Sequence, residues 1–126
     1  MSISDRDLLA TVVQQREAIS AAESPGVFVL VVTDGPERGK SYRLDATLPV
    51  RALIGTSPAC EVRVTDREVS RRHAALERIG NNLRITDLGS TNGTLLNGEL
   101  VSQAQLEDGD QIMLGNTILI YRRETG

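Results

Sequence analysis

Among its 126 residues the chain has one cysteine, one histidine, no tryptophan, one phenylalanine and two tyrosines. Cys60 has no second cysteine to bridge to, and Cys60 with His73 cannot supply the ligand set of a structural zinc site. A disulfide or metal scaffold is therefore excluded, and the chain must be held together by burial. Its length suffices, since a domain of this size removes roughly two thirds of its unfolded surface from water. The few aromatic residues leave little for single-stranded bases to stack on. Cations are also in short supply: 14 Lys and Arg against 17 Asp and Glu give a net charge of -3. Binding to a nucleic-acid backbone needs a surplus of Lys and Arg on one face, so direct nucleic-acid binding is not expected. No run approaches the apolar length of a membrane span, and the start "MSISDRDLL" has neither the basic beginning nor the apolar block of a secretory signal. A cytoplasmic location without membrane attachment is expected.

Two textures divide the chain. Residues 4–22 carry helix formers, a capping pair in Ser4 and Asp7, and a thin apolar stripe of Leu8, Val12 and Ile19. Gln15 interrupts that stripe, so the segment reads as a helix that needs a partner surface, serving as a tether, a self-association contact or a regulatory tail. Pro25 and Gly26 end the pattern. Residues 1–26 are thus expected to form a helical N-terminal extension with a linker, and residues 27–123 a separate domain. From Val27 onward, short runs rich in Val, Ile and Leu recur about every ten residues between turn signals, which is the signature of an all-β sandwich or barrel. "VFVLVV" reads as a strand covered on both faces, and "LRIT" as one with Leu83 and Ile85 inward. Gly115-Asn116 is a hairpin signal between "QIML" and "TILIY".

Loop chemistry is concentrated in "DLGSTNGTLLNGE", where Asn92-Gly93 and Asn97-Gly98 lie five residues apart. Both pairs tolerate the positive φ of a type I′ hairpin turn. A tight turn does not need all of "GSTNG", which exposes hydroxyls, an amide and unhindered backbone N–H groups suited to a peptide backbone or an anion. Upstream, "DREVSRRHAAL" sets Ser70 beside Arg71, Arg72 and His73. Hydroxyl and guanidinium together answer a phosphate, with its roughly -1.5 to -2 charge and three acceptor oxygens.

These stretches together, "LIGTSPACEVRVTDREVSRRHAAL", "ITDLGSTNGTLLNG" and "LEDGDQIMLGNTILIY", resemble the forkhead-associated domain, a two-sheet β-sandwich that reads phosphothreonine peptides. The resemblance runs from about Val27 to Tyr121. It implies that Ser70 hydrogen-bonds the phosphate, that Thr91 and Asn92 hold the peptide backbone, and that Arg71 lies beside the peptide. Gly55, His73, Gly93, Asn97 and Gly98 become structural residues of the binding loops. One departure stands out: the family's usual Arg after the glycine of the third strand is replaced by Thr56. Arg71 or Arg72 is expected to compensate for it.

The main reading is therefore a signalling module that docks a phosphothreonine-containing protein or peptide across loops at one end of the sandwich, with no cofactor or metal. Thr56 keeps open an alternative, a phosphate-independent interaction module, in the setting of the regulatory N-terminus of a bacterial transcription regulator. An enzyme would use Ser70 as nucleophile, His73 as base and Asp66 or Asp87 as orienter. The short separation on a strand entrance and the absence of a GxSxG elbow speak against it. Cys60 is expected to be an inert small residue and "EDGDQ" a solvated turn.

Overall fold

The computed structural model describes residues 27–45 and 51–124. The expected N-terminal helix and its linker lie outside these residues. Eleven strands follow in chain order: β1 (Val27–Asp34), β2 (Ser41–Leu44), β3 (Arg51–Gly55), β4 (Val62–Arg63), β5 (Ala74–Ile79), β6 (Asn82–Asp87), β7 (Thr94–Leu96), β8 (Glu99–Val101), β9 (Gln103–Leu106), β10 (Gln111–Leu114) and β11 (Thr117–Glu124). They form a five-stranded sheet in the order β9-β6-β5-β3-β4 and a six-stranded sheet in the order β2-β1-β11-β10-β7-β8. The described part is all-β, as the recurring apolar runs predict.

The period-2 pattern decides which side chains meet. Along β1, Phe28, Leu30 and Val32 enter the core, while Val29 and Val31 cover the outer side of the same strand. The strand is flanked by β2 and by the long β11, with which it pairs antiparallel from Val27↔Glu124 to Val32↔Leu119; on its outer side Val29 is buried and Val27 and Val31 are half-buried. On the facing sheet, Ile54, Leu76, Leu83 and Ile85 meet Ile112, Leu114 and Leu119 of the first. Burying each such side chain contributes about 1.5–3 kcal/mol. At one end of this core the Phe28 and Tyr121 rings stand 6.0 Å apart, with the Arg78 guanidinium 4.7 Å above the Phe28 ring. Burial pushes the Tyr121 phenol up to about 12.

The opposite end carries the longer loops, and buried carboxylates shape them. Asp66 is 3% exposed and accepts hydrogen bonds from the Glu68 N–H at 2.9 Å, the Asn116 N–H at 2.8 Å and the Thr117 hydroxyl at 2.8 Å. This fastens the β4–β5 loop to the β10–β11 hairpin, whose tip is Gly115-Asn116 as the sequence predicts. Glu37, also buried, holds both the N–H and the hydroxyl of Thr65 at 2.9 and 2.7 Å, joining the β1–β2 turn to the same loop. Replacing Asp66 by Ala removes the acceptor of all three donors, of which the Thr117 hydroxyl is buried and the Glu68 and Asn116 N–H groups are on exposed residues that water can reach. Leaving the buried hydroxyl unpaired costs about 1–3 kcal/mol, so urea unfolding of Asp66→Ala should show a loss of about that size, with a smaller loss for Asp66→Asn.

Candidate functional site

The β3–β4 turn, the β4–β5 loop and the β6–β7 loop gather at this rim. Gly55 ends β3, and a Cβ there would collide with the carbonyl oxygen of Arg71. Only glycine lets the 70–71 main chain lie against β3. The approach is fixed by hydrogen bonds from Thr56 N–H to the Ser70 carbonyl at 3.2 Å, from Ser57 N–H to the Arg71 carbonyl at 3.1 Å, and from His73 N–H to the Ile54 carbonyl at 2.8 Å. Buried Cys60 adds its Sγ to the Arg71 carbonyl at 3.4 Å. Its thiol is pushed up by burial, which agrees with the inert role expected for it.

His73 is fully buried and joins two loops. Its Nδ1 accepts the Ser70 main-chain N–H at 3.1 Å, and its Nε2 lies 2.8 Å from the Gly93 carbonyl oxygen. A main-chain N–H can only donate, so Nδ1 is the acceptor and Nε2 carries the hydrogen. The hydrogen bond that a serine nucleophile would need, from its hydroxyl to the imidazole, is not the one formed. Asp66 serves the β10–β11 hairpin, and Asp87 Oδ1 stands 3.9 Å from Nε2, beyond hydrogen-bond distance.

The Ser70 hydroxyl oxygen accepts the Thr91 N–H at 3.1 Å. With that lone pair engaged, its O–H is left to donate outward. Asn92 donates through Nδ2 to the Glu68 carbonyl at 2.8 Å and to the Glu68 carboxylate at 3.2 Å. The group it can offer a peptide is thus Oδ1, an acceptor for an N–H. Thr91 and Asn92 are both exposed, beside an open groove of about 480 Å³ that runs past exposed Leu100 to Ser102. Arg71 and Arg72 are exposed on the neighbouring loop, and Thr56 is half-buried at its base.

Asp87 organises the β6–β7 loop. One of its carboxylate oxygens accepts the Ser90 hydroxyl at 2.6 Å and the Thr94 hydroxyl at 2.7 Å, and the other accepts the Gly89 and Ser90 N–H groups at 3.0 Å each. Ser90 in turn accepts the Gly93 N–H at 2.9 Å. Burial opposes ionisation of Asp87, yet the hydroxyl and N–H donors together outweigh it and hold the carboxyl below its ordinary 3.8.

The two Asn-Gly pairs differ. Asn97 and Gly98 both have positive φ, 51° and 88°, and form the expected tight turn between β7 and β8. In the first pair only Gly93 does, at 85°, so Asn92-Gly93 is not a type I′ turn. The tie to Glu68 instead holds Asn92 within a loop anchored on Asp87. The "EDGDQ" segment is likewise more than a solvated turn: Asp110 caps the Glu107 N–H at 2.8 Å and holds the Asn97 amide at 3.0 Å. Among the described residues no cluster of His, Cys, Asp and Glu could hold a metal ion. Sequence reasoning missed Glu68 and Ser90, and considered Asp87 only as the orienter of a triad. The Asp87-x-x-Ser90 spacing, an Asx-turn pattern, was the available signal.

The FHA domain family profile matches residues 52–115, which contain all of these loops. The chain belongs to the FHA domain family. It is 36% identical over 106 residues to the glycogen accumulation regulator GarA of Mycobacterium tuberculosis, a match covering 82% of this chain and 64% of that relative's length. A solved FHA structure from work on phosphothreonine-dependent FHA domain interactions has a TM-score of 0.69 and 36% identity, covering 76% of this chain and 95% of that one. Mycobacterium tuberculosis EmbR in complex with a low-affinity phosphopeptide also has a TM-score of 0.69, at 29% identity, over 79% of this chain and 25% of that one. The FHA sandwich expected from the motifs is thus shown. No described helix is long and apolar enough to cross a membrane.

Two measurements probe this loop architecture. Gly55→Ala should lower stability in urea by about 1–3 kcal/mol, because the added methyl must push the 70–71 main chain away. For Asp87, a depressed folded-state value means that its contribution is present above 3.8 and lost as pH falls through the lower folded value. The stability gap between the native chain and Asp87→Asn should be full at neutral pH and close in the acid range below 3.8.

Proposed function

We propose that this FHA domain binds phosphothreonine-containing protein segments at the rim formed by the β3–β4, β4–β5 and β6–β7 loops. The observation that carries the reading is the Ser70 hydroxyl, held as an acceptor by the Thr91 N–H so that its proton is free for a phosphate oxygen. Asn92 offers Oδ1 to the peptide backbone beside Thr91, and Arg71 and Arg72 add positive charge on the same loop. Thr56, which stands where the family's phosphate-binding Arg is usual, lines the phosphopeptide site at its base, and buried His73 holds the loops around it. A small apolar recess for the threonine methyl group would separate phosphothreonine from phosphoserine. The solved relatives that bind phosphopeptides support this reading, and it assigns the domain, residues 27–123, a binding role rather than a catalytic one.

The partner is an intracellular protein modified by a threonine kinase, and the module acts as a regulatory adaptor. The match spans 64% of GarA, so a metabolic setting like that relative's and the N-terminus of a transcription regulator are both settings for a longer protein. The second reading, a phosphate-independent module, is favoured by Thr56 alone. A peptide pool with a fixed central phosphothreonine should bind the native chain, and the same pool with unmodified threonine should not. Ser70→Ala should weaken the phosphorylated pool about 10- to 100-fold, the range for one hydrogen bond to a charged group. Fluorescence anisotropy measures both, and equal binding of the two pools would favour the second reading.

A further inference from the structure

A phosphate close to two negative charges, bound at a rim that also holds Glu68 and Asp87, calls for a cation whose position is fixed before the ligand arrives. Arg67, Arg71 and Arg72 are exposed, and among the described residues their side chains make no hydrogen bond or ion pair. Each would have to lose its rotamer freedom on binding. Arg63 differs. The parallel pairing of β3 and β4 sets it beside Gly55, and its carbonyl accepts the Tyr42 hydroxyl at 2.7 Å. Its guanidinium Nε donates to the Thr56 carbonyl at 3.1 Å. The Thr56 N–H meanwhile donates to the Ser70 carbonyl. Residue 56 therefore holds Ser70 through one of its main-chain groups and the Arg63 guanidinium through the other.

We propose that Arg63, docked on the Thr56 carbonyl, is the principal cation for the phosphate of the bound phosphothreonine. One N–H of its fork is used in the docking, and both terminal amino groups remain to meet phosphate oxygens side by side. Among the described residues Arg63 pairs with no carboxylate, so its charge is not spent internally. The small side chain of Thr56 leaves its carbonyl open to the guanidinium. The cation is thus supplied by the neighbouring strand rather than by residue 56 itself. This assignment rests on the phosphothreonine reading above and names the residue that makes it work.

The test uses the full chain and the two peptide pools, with and without phosphate on the central threonine. Arg63→Met should weaken the phosphorylated pool about 10- to 100-fold and leave the unmodified pool unchanged. Arg63→Lys, which keeps the charge but loses the fork, should fall between. Adding Thr56→Arg to Arg63→Met should restore phosphate-dependent binding, an outcome that a merely structural role for Arg63 does not produce. Arg71→Met and Arg72→Met should cost less than Arg63→Met. Circular dichroism verifies that each variant is folded. If the native chain prefers the phosphorylated pool and Arg63→Met binds it equally well, the assignment of Arg63 is overturned while the phosphothreonine reading stands. If the native chain shows no preference, that reading fails and this assignment with it.

Discussion

A single buried imidazole holds the binding rim together. His73 sits where β5 begins, receives the N–H of Ser70 on one ring nitrogen, and reaches the carbonyl of Gly93 with the other. Those two main-chain groups belong to different loops, and the imidazole joins them. No other side chain offers an acceptor and a donor on opposite sides of a rigid ring, so the chain's one histidine sets the separation between the Ser70 loop and the Asn92 loop. The rest of the site follows from that separation: the Thr91 N–H reaches the Ser70 hydroxyl, and the Asn92 amide reaches Glu68.

Around this imidazole, carboxylates do for the loops what ladders do for strands. Asp66, Glu37 and Asp87 are acceptors only; Asp66 and Glu37 take N–H and O–H donors from segments distant in sequence, and Asp87 takes them from its own loop. Removing a charge from water is costly unless every lone pair finds a donor. Here that condition is met by hydroxyls and main-chain amides rather than by a cation. Among the described residues Arg63, Arg67, Arg71 and Arg72 form no ion pair, so their charge remains available at a rim that also carries Glu68 and Asp87.

Much of this was legible in the sequence, and for identifiable reasons. Strand positions followed from alternation, as in Leu83 and Ile85, and from the uninterrupted apolar run of β1, whose outer face is only partly covered. Gly55 was legible by resemblance, although the cause, the main chain of residues 70–71 lying against it, is a tertiary contact that no local pattern reveals. The placement of Ser70, Thr91 and Asn92 on one rim could be expected from the family's motifs. The conformation of Asn92-Gly93 could not, because a hydrogen bond to Glu68, far off in sequence, overrides the local preference for a tight turn. Arg63 was equally hidden. In sequence it is one exposed arginine among several, and only the parallel β3–β4 register puts it against residue 56. The acids of "EDGDQ" looked merely solvated for the same reason, since the partners of Asp110 include Asn97, thirteen residues away in sequence.

The tie between Asn92 and Glu68 has a kinetic consequence. The protein's own hydrogen bonds fasten both loops to each other and to His73, so a ligand would meet a surface whose shape those bonds set. Association then needs no slow rearrangement and should run at the pace of diffusional encounter, quickened by the arginines around the rim. Differences among ligands would accordingly be expressed in how long each one stays rather than in how fast it arrives.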